Sequence, residues 1–273
     1  MTQPLVSVVM PIFNTRQDFV RAAITSLVEQ DFRDWELVIV EDPSDCESLD
    51  TVKLFDDGRI KYLHNDQRTS LIEQRNRALS ECRSPLVAML DADDVAHSNR
   101  LSEQSTFLSQ REDISVVGCQ LSMIDASSKL IGVRYYPLEH ESIRKGMIFR
   151  NMIPQPGVMF RRETILRSGV YLYDRYSGLE DYDLWCRLLK AGVKFANHPE
   201  RLQSYRIHAS QIKQSRLREQ LLGTIDVKRT HFRDELGVLG WSRIFAEYAL
   251  TYLPSSLVMR LFAMSYLKTG NPT

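Results

Sequence analysis

The sequence lacks most features that would place it outside ordinary intracellular globular proteins. Its four cysteines are far apart and form no CxxC pair, so we expect no zinc site, no disulfide framework and a reducing, cytoplasmic setting. No apolar run is long enough to cross a bilayer, and the first is too short for a secretory signal and is interrupted by Pro11. No GxGxxG motif follows a predicted strand, which argues against a dinucleotide dehydrogenase. Because the formal net charge is zero, no overall field points to a nucleic-acid partner.

Strands and helices alternate along the first hundred residues. Apolar β-rich runs predict strands over 6–10, 35–40, 59–64 and 86–90. Helical spacing predicts helices over 16–29, 46–55 and 71–82. Continuously apolar strands joined by helices predict an α/β fold with a mainly parallel central sheet covered on both faces.

The rest of the chain is less regular. We expect further strands over 114–119 and 131–136, and a proline-rich turn over 153–160 that leads into another strand. A helix is predicted over 180–191, and from about residue 211 the pattern is helical. The predicted organisation is therefore one α/β domain over residues 1–210, followed by a helical extension over 211–273.

Acidic or polar residues follow three of the predicted strands: "PIFN" after the first, "EDPSD" after the second and "DADD" after the fourth. Ligands of open α/β sheets bind outside the carboxyl ends of the strands, so these segments should meet at one edge. A compact Asp pair such as Asp91 and Asp93 suits Mg²⁺ or Mn²⁺ bound together with substrate phosphates. The competing interpretation is a solvated turn that caps the following helix.

Six segments together resemble the glycosyltransferases of family 2, which have the Rossmann-like GT-A fold. They occur in the family's order within the first 210 residues: "VSVVMPIFN", "WELVIVEDPSD", "EQRNRAL", "VAMLDADDV", "GLEDYDLWCRLLKAG" and "YRIHAS". Each segment alone is a weak signal, but six in order are not expected by chance. The resemblance implies an inverting enzyme that uses a nucleotide sugar and a divalent cation, Mn²⁺ or Mg²⁺.

The resemblance places five residues beside the donor nucleotide: Pro11, Phe13, Asp42, Arg75 and Asp91. In this interpretation Pro11 and Phe13 line the pocket, Asp42 accepts a hydrogen bond from the base, usually uracil, and Asp91 lies near the ribose. Arg75 contacts the nucleotide or its diphosphate, with Arg68 as a competing candidate. A solvated helix face is the plain alternative for Arg75.

The resemblance also assigns the metal and the acceptor side. Asp93 is the principal metal ligand, His208 a further one, and Asp181 the general base at the start of its helix. The alternatives are that Asp181 only caps that helix and that His208 is an ordinary surface histidine. Two positions depart from the family pattern: Pro43 replaces a common glycine, and Gln155 stands where relatives often carry histidine, which leaves its role open.

The extension is basic and amphipathic. From Arg201 onward eleven Lys and Arg residues face five Asp and Glu. Apolar residues recur at helical spacing from Trp241, and the pattern resumes after Pro254, which predicts two amphipathic helices broken at that proline. These helices either pack on the catalytic domain or a second subunit, or contact an anionic membrane surface.

The expected function is metal-dependent, inverting transfer of a sugar from a nucleotide sugar, most simply a UDP-sugar, to a hydroxyl of a glycan or lipid-linked acceptor. Cell-surface polysaccharide synthesis at the cytoplasmic face of the inner membrane is the expected setting. One alternative is a nucleotidyltransferase, although "PIFNTRQDF" lacks the glycine-rich phosphate loop expected after its first strand. The other is a non-catalytic module that binds nucleotides or glycans.

Overall fold

Four parallel strands form one half of the central sheet. The computed structural model describes residues 3–167, 169–171, 174–175, 178–208 and 217–253. The four strands lie in the order β3-β2-β1-β4: β1 (Val6–Ile12), β2 (Trp35–Glu41), β3 (Ile60–His64) and β4 (Leu86–Met89). The connecting helices are α1 (Gln17–Val28), α2 (Leu49–Lys53) and α3 (Leu71–Glu81). Every residue of β1, β2 and β4 is buried, which explains why apolar residues predominate in their sequences.

The strands of this half separate two apolar layers. Val8 and Met10 of β1 pack in one layer, whereas Val9 between them packs in the other. This alternation follows from the two-residue period of a strand. Ser70 and Glu73 form a capping box that fixes the start of α3, and this helix packs against β1 and β2.

The other half of the sheet contains a reversed strand. It is built from β5 (Val95–Ala96), β6 (Ile114–Ile124), β7 (Leu130–Arg134), β8 (Met159–Arg161) and β9 (Lys194–Arg206). Strand β8 lies antiparallel between β4 and β6, and β9 then runs parallel to β6. The predicted α/β class with a helix-flanked central sheet is confirmed, with the parallel pairing confined to β3-β2-β1-β4 and to β6-β9.

Four helices and one turn cover this half: α4 (Arg100–Gln110), α5 (His140–Met147), α6 (Arg162–Arg167), α7 (Glu180–Lys190) and a 3₁₀ turn at Gln155–Gly157. Trp185 of α7 is fully buried and packs between the rings of Phe160 and Phe195. Helix α7 is thereby fixed to the sheet, and its first turn is held at the edge where the strand ends meet.

The C-terminal extension begins with two helices, α8 (Leu217–Phe232) and α9 (Gly237–Leu250). His231 Nε2 lies 2.7 Å from Asp183 Oδ1 of α7, and Lys228 Nζ of α8 donates to Glu247 of α9 at 2.7 Å. None of the described helices is both long and apolar enough to cross a membrane. The second helix predicted after Pro254 lies outside the described residues.

Helix α9 carries the first of the two apolar stripes predicted in the extension. Its predicted apolar stripe includes Ile244, which is buried, but also Phe245, Tyr248 and Tyr252, which are exposed. The amphipathic pattern therefore identifies a helix, and most of its apolar stripe is left uncovered by the described residues. The buried side of α9 packs on α8, and a turn at 233–236 joins the two helices.

Candidate active site

The ends of β1, β2 and β4 meet at one edge of the sheet. The parallel register pairs Ile12 with Glu41 and Val9 with Met89. Phe13, Asp42 and Asp91 therefore follow three neighbouring strands, as the sequence predicted.

Asp42 is buried, with only 1% of its surface exposed. Its carboxylate accepts hydrogen bonds from Asn65 Nδ2 at 2.5 Å, from the Thr69 backbone N–H at 2.7 Å and from Thr69 Oγ1 at 3.0 Å. These donors satisfy the buried charge and fix the orientation of the carboxylate. An ionised carboxylate has about four acceptor sites, so capacity for one further donor remains.

Two more residues stand beside Asp42 at the strand ends. The Arg68 guanidinium lies over the Phe13 ring, 4.1 Å from its centroid. Arg68 is exposed and Phe13 is half-buried, whereas Pro11 is buried inside β1. A cation stacked on an aromatic ring gives this end of the site a flat surface and a positive charge.

Arg75 joins three elements of the site from a buried position. Its guanidinium pairs with Glu180 at the start of α7 and with Asp91 Oδ1 after β4 at 3.3 Å. The Tyr171 ring lies 5.6 Å away. Burial alone would lower the pKa of Arg75, but Glu180 and Asp91 outweigh it and raise the pKa. Arg75 is therefore charged, and its ion pairs link α3 to α7 and to the segment after β4. It is not a solvated residue of a helix face.

Asp91 and Asp181 line the same cleft, whose volume is about 350 Å³. Asp181 Oδ2 accepts a hydrogen bond from Asn151 Nδ2 at 2.9 Å, and its Oδ1 accepts one from the backbone N–H of Tyr182 at 2.8 Å. Asp181 thus both bonds to the first turn of α7 and borders the cleft. The sequence left open whether Asp181 caps its helix or acts as the general base, and this geometry is compatible with both roles.

Gln155 lies in the wall of this cleft. Its Nε2 donates to the Tyr171 hydroxyl at 2.8 Å. Because the Tyr171 ring stands next to Arg75, Gln155 supports the aromatic wall behind the ion-pair network.

Asp93 and His208 contact each other across 115 positions of sequence. Asp93 Oδ2 and His208 Nε2 are 2.9 Å apart. The contact exists because Arg206 ties the end of β9 to the acidic segment, through its N–H to Asp94 at 2.8 Å and its Nε to the Asp93 carbonyl at 2.7 Å. The His208 ring also packs on Phe19, with centroids 5.2 Å apart.

The Asp93–His208 pair fits two ligands of one small divalent ion. Two adjacent ligands of an octahedral ion with bonds of about 2.1 Å lie roughly 3 Å apart. Within the described ranges, no group of three or more His, Cys, Asp or Glu residues could hold a metal. A two-ligand site matches ions such as Mg²⁺, which usually take one or two carboxylates and complete their shell with water and phosphate.

A larger cavity of about 690 Å³ lies elsewhere, between α1 and β5. Its lining contains none of the predicted site residues. The chemistry is assigned to the smaller cleft, because that cleft contains the buried ion pair and the carboxylate of Asp181.

Comparison with known proteins decides the family. Residues 7–165 match the model described as Glycosyl transferase family 2. The chain belongs to this family. It is therefore an enzyme, a glycosyltransferase.

This family 2 glycosyltransferase is 31% identical over 218 residues to the O-antigen biosynthesis glycosyltransferase WbnJ of Escherichia coli, covering 78% of this chain and 84% of WbnJ. It is 27% identical over 216 residues to the UDP-Glc:alpha-D-GlcNAc-diphosphoundecaprenol beta-1,3-glucosyltransferase WfgD of Escherichia coli, covering 79% and 82%.

Solved structures confirm the GT-A fold of this family 2 glycosyltransferase. S. aureus TarS 1–349 in complex with UDP-GlcNAc superposes with a TM-score of 0.66 at 16% identity, covering 91% of this chain and 72% of that one. The mannosyltransferase PcManGT from Pyrobaculum calidifontis, in complex with GDP-Man and Mn²⁺, gives 0.65 at 15% identity, covering 100% and 77%. At such low identity the likeness establishes the fold alone.

Several supporting residues of this family 2 glycosyltransferase were not predicted from the sequence. Asn65 and Thr69 hold Asp42, Asn151 holds Asp181, and Glu180 pairs with Arg75. In the sequence, Glu180 stands only as the first residue of the predicted helix over 180–191. The sequence signal that could have identified it is its position beside Asp181 at the start of the same predicted helix.

Proposed function

We propose that this enzyme transfers a sugar from a nucleotide sugar, most simply a UDP-sugar, to a hydroxyl of a glycan or lipid-linked acceptor, with inversion at the anomeric carbon. The observation that supports this most is the shared cleft, which is lined by both Asp91 and Asp181. Relatives agree in chemistry: WfgD is named for a UDP-Glc donor and a diphosphoundecaprenol acceptor, and TarS is known in complex with UDP-GlcNAc. O-antigen synthesis by WbnJ supports a role in cell-surface polysaccharide synthesis.

In this proposal the donor binds at the ends of β1, β2 and β4. Phe13 and Arg68 form one wall of the nucleotide pocket, over the buried Pro11. Asp42 uses its remaining acceptor site for an N–H of the base. Asp91, held by Arg75, faces the ribose. Arg75 then acts on the donor through Asp91, while Arg68 is the exposed cation available to phosphate.

Asp93 and His208 are the proposed ligands of Mn²⁺ or Mg²⁺. Such an ion supplies positive charge to the diphosphate that leaves with the nucleotide. PcManGT, which is known with GDP-Man and Mn²⁺, supports a divalent ion in this fold. The present contact of His208 Nε2 with Asp93 Oδ2 preorganises both side chains at one point.

Asp181 is the proposed general base. An acceptor hydroxyl is a poor nucleophile until a carboxylate takes its proton, which commonly contributes about 10²–10⁴ in rate. Asn151 and the start of α7 hold the Asp181 carboxylate in place, and the helix N-terminus favours its ionised form. The other two carboxylates of the cleft, Asp91 and Glu180, are paired with Arg75. A single displacement by the acceptor therefore accounts for inversion.

A donor screen tests the proposed reaction. Nucleotide sugars are incubated with the enzyme in Mn²⁺ or in EDTA, with and without glycosyl acceptors, and nucleotide release is measured. We expect release from one class of nucleotide sugar, faster in Mn²⁺ than in EDTA, and a product whose anomeric configuration by NMR is opposite to that of the donor. A retained configuration, or release that ignores Mn²⁺, would contradict the proposal.

We also propose that residues 1–210 form the catalytic domain and that the extension over 211–273 brings it to a membrane surface. The exposed side of α9 and the turn after it carry large apolar residues: Val238, Leu239, Phe245, Tyr248, Tyr252 and Leu253. The two charged residues of α9, Arg243 and Glu247, lie outside this side and pair with each other. Exposed aromatic residues suit the interfacial layer of a membrane, and the basic excess of the extension suits anionic lipid. This arrangement fits a lipid-linked acceptor at the cytoplasmic face.

Flotation with anionic liposomes tests this surface. We expect the wild type to float, and the double variant Phe245→Ser/Tyr252→Ser to float much less. Tyr135→Ser is the control, since Tyr135 is comparably exposed at 53% on another part of the surface. Equal flotation of all three proteins would exclude this surface as the membrane contact. A dimer that the double variant disrupts in sedimentation would instead assign the same surface to a second subunit.

A further inference from the structure

Gln155 has a buried polar atom that no described residue satisfies. Its side chain is only 6% exposed and lines the cleft together with Asp91 and Asp181. The Nε2 atom donates to the Tyr171 hydroxyl at 2.8 Å, but the Oε1 atom has no hydrogen-bond partner in the described part of the chain. Buried polar groups of native proteins are nearly always paired, because an unpaired one costs stability. The carbonyl oxygen of Gln155 is therefore suited to a partner that a ligand of the cleft supplies.

The turn that carries Gln155 lies beside the strand that leads to Asp91. The Met89 N–H of β4 donates at 3.0 Å to the backbone carbonyl that directly follows this turn, and Asp91 comes two residues after Met89. Tyr171, which holds the Gln155 amide, stands next to Arg75, and Arg75 pairs with Asp91. Gln155 is therefore connected by two routes to the part of the site that the proposed function assigns to the donor.

We propose that Gln155 selects the sugar that is transferred, by forming a hydrogen bond with one of its hydroxyl groups. In a single displacement, the anomeric carbon lies between the leaving diphosphate and the acceptor hydroxyl that Asp181 deprotonates. The transferred sugar then occupies the cleft that Asp91, Gln155 and Asp181 line. This inference rests on the proposed function and adds to it a residue that recognises the sugar.

The chemistry of the carboxamide restricts what it binds. A carbonyl oxygen only accepts, so the partner of Oε1 must carry a hydrogen, as a hydroxyl does and a carboxylate or phosphate oxygen does not. With the amide turned over, the Tyr171 hydroxyl would donate to Oε1, and Nε2 would be the atom that needs a partner. Because a hydroxyl both donates and accepts, it pairs with the amide in either orientation. A sugar that lacks this hydroxyl leaves the amide unpaired, and sites of this kind discriminate against such analogues.

Calorimetry on the full chain in Mn²⁺ tests the proposal. UDP is titrated first and reports on the nucleotide site, so the absence of UDP binding would count against the proposed function alone. UDP-glucose, UDP-galactose and UDP-N-acetylglucosamine follow, and the tightest of the three is the parent for a series of analogues that each lack one sugar hydroxyl. We expect the loss of one particular hydroxyl to weaken binding to the wild type by about tenfold.

The variant Gln155→Met removes the amide and keeps the length of the side chain. We expect it to bind the parent about tenfold more weakly than the wild type does, and to bind the parent and the critical analogue equally. Its affinity for UDP should be unchanged. Loss of the discrimination in the variant would show that this hydroxyl and the Gln155 amide interact with each other.

The matched control is Tyr171→Phe, because it removes the same hydrogen bond between Gln155 and Tyr171 but keeps the amide. We expect it to retain the preference of the wild type for the parent over the critical analogue. Circular dichroism verifies that each variant is folded. If Gln155→Met does not fold, Gln155→Asn, which withdraws the amide by one methylene, replaces it with the same expected results.

Four outcomes would overturn the proposal. In the first, the wild type binds every analogue as tightly as the parent; in the second, Gln155→Met keeps the full penalty for the missing hydroxyl. In the third, Gln155→Met weakens the binding of UDP as much as that of the parent, so that Gln155 only maintains the shape of the site. In the fourth, Tyr171→Phe loses the preference as completely as Gln155→Met, so that Gln155 acts only by holding Tyr171.

Discussion

Neutralising Glu180 should destabilise the enzyme far more than neutralising an exposed glutamate. The Arg75 and Glu180 side chains are 4% and 5% exposed. Glu180→Gln keeps the shape and one acceptor oxygen but removes the charge. The buried guanidinium then retains Asp91 as its carboxylate, at 3.3 Å and 29% exposed.

The magnitude follows from the burial of the pair. Removing one partner of a buried ion pair costs about 3–5 kcal/mol, because the other charge is left uncompensated. Asp91 and the remaining glutamine oxygen reduce this cost, so we expect the free energy of unfolding to fall by about 2–3 kcal/mol. The control is Glu163→Gln, whose partner Arg167 is 78% exposed while Glu163 itself is 72% exposed. An exposed pair of this kind contributes less than about 0.5 kcal/mol.

Urea unfolding at pH 7, followed by fluorescence and far-ultraviolet circular dichroism, measures both variants. The two probes should give coincident transitions, and the m value should match that of the wild type, so that the midpoint shift reports stability. If Glu180→Gln cost no more than Glu163→Gln, the buried ion pair would not hold β4, α3 and α7 together as described.

Two further predictions concern packing and pH. Gly118→Ala would place a Cβ 2.0 Å from Asn197 Oδ1, so we expect the free energy of unfolding in urea to fall by about 2–3 kcal/mol. The control Gly58→Ala, whose Cβ would have nothing within 4 Å, should leave the stability nearly unchanged. Equal effects of the two substitutions would refute the packing argument. Burial would raise the pKa of Asp183, but hydrogen bonds from His231 and a neighbouring arginine outweigh it and lower the pKa below the usual 3.8. Because the native state then binds fewer protons than the unfolded state, the contribution of Asp183 is present above about pH 4 and lost as the pH falls below it. Urea midpoints at pH 6 and pH 3 should therefore converge more in Asp183→Asn than in the wild type, and an unchanged difference would contradict this.

Local sequence patterns predicted the half of the fold in which neighbouring elements pair. Strands β1, β2 and β4 are mostly apolar because helices cover both faces of the sheet, and such strands are recognisable without a structure. The convergence of Phe13, Asp42 and Asp91 follows from the parallel order alone. The family resemblance added the roles proposed for these residues.

Contacts between distant segments could not be predicted from local pattern. Arg75 meets Glu180 across 105 positions, and Asp93 meets His208 across 115. Both contacts depend on long-range pairing in the second half of the sheet, where the reversed strand β8 and the two-residue strand β5 give no periodic signal. Local pattern therefore does not show whether a charged residue of a predicted helix, such as Arg75, is solvated or buried against a carboxylate.

The extension shows the limit of amphipathic pattern. The stripe through Ile244, Phe245 and Tyr248 correctly predicts a helix in this region, but most of it is exposed. Helix α9 packs through a narrow side that includes Gly240 and Ile244. Periodicity reports that a helix has an apolar side and does not report what covers that side.

Binding of UDP, measured by calorimetry in Mn²⁺ and in EDTA, tests the central claim most directly. The wild type is compared with Asp93→Ala, which removes a proposed metal ligand, and with Asp181→Ala, which removes the proposed base that lines the cleft. We expect Mn²⁺ to strengthen binding in the wild type and in Asp181→Ala but to lose most of its effect in Asp93→Ala. Full Mn²⁺-dependent binding by Asp93→Ala, or its loss in Asp181→Ala, would show that these carboxylates do not divide the work between donor and acceptor.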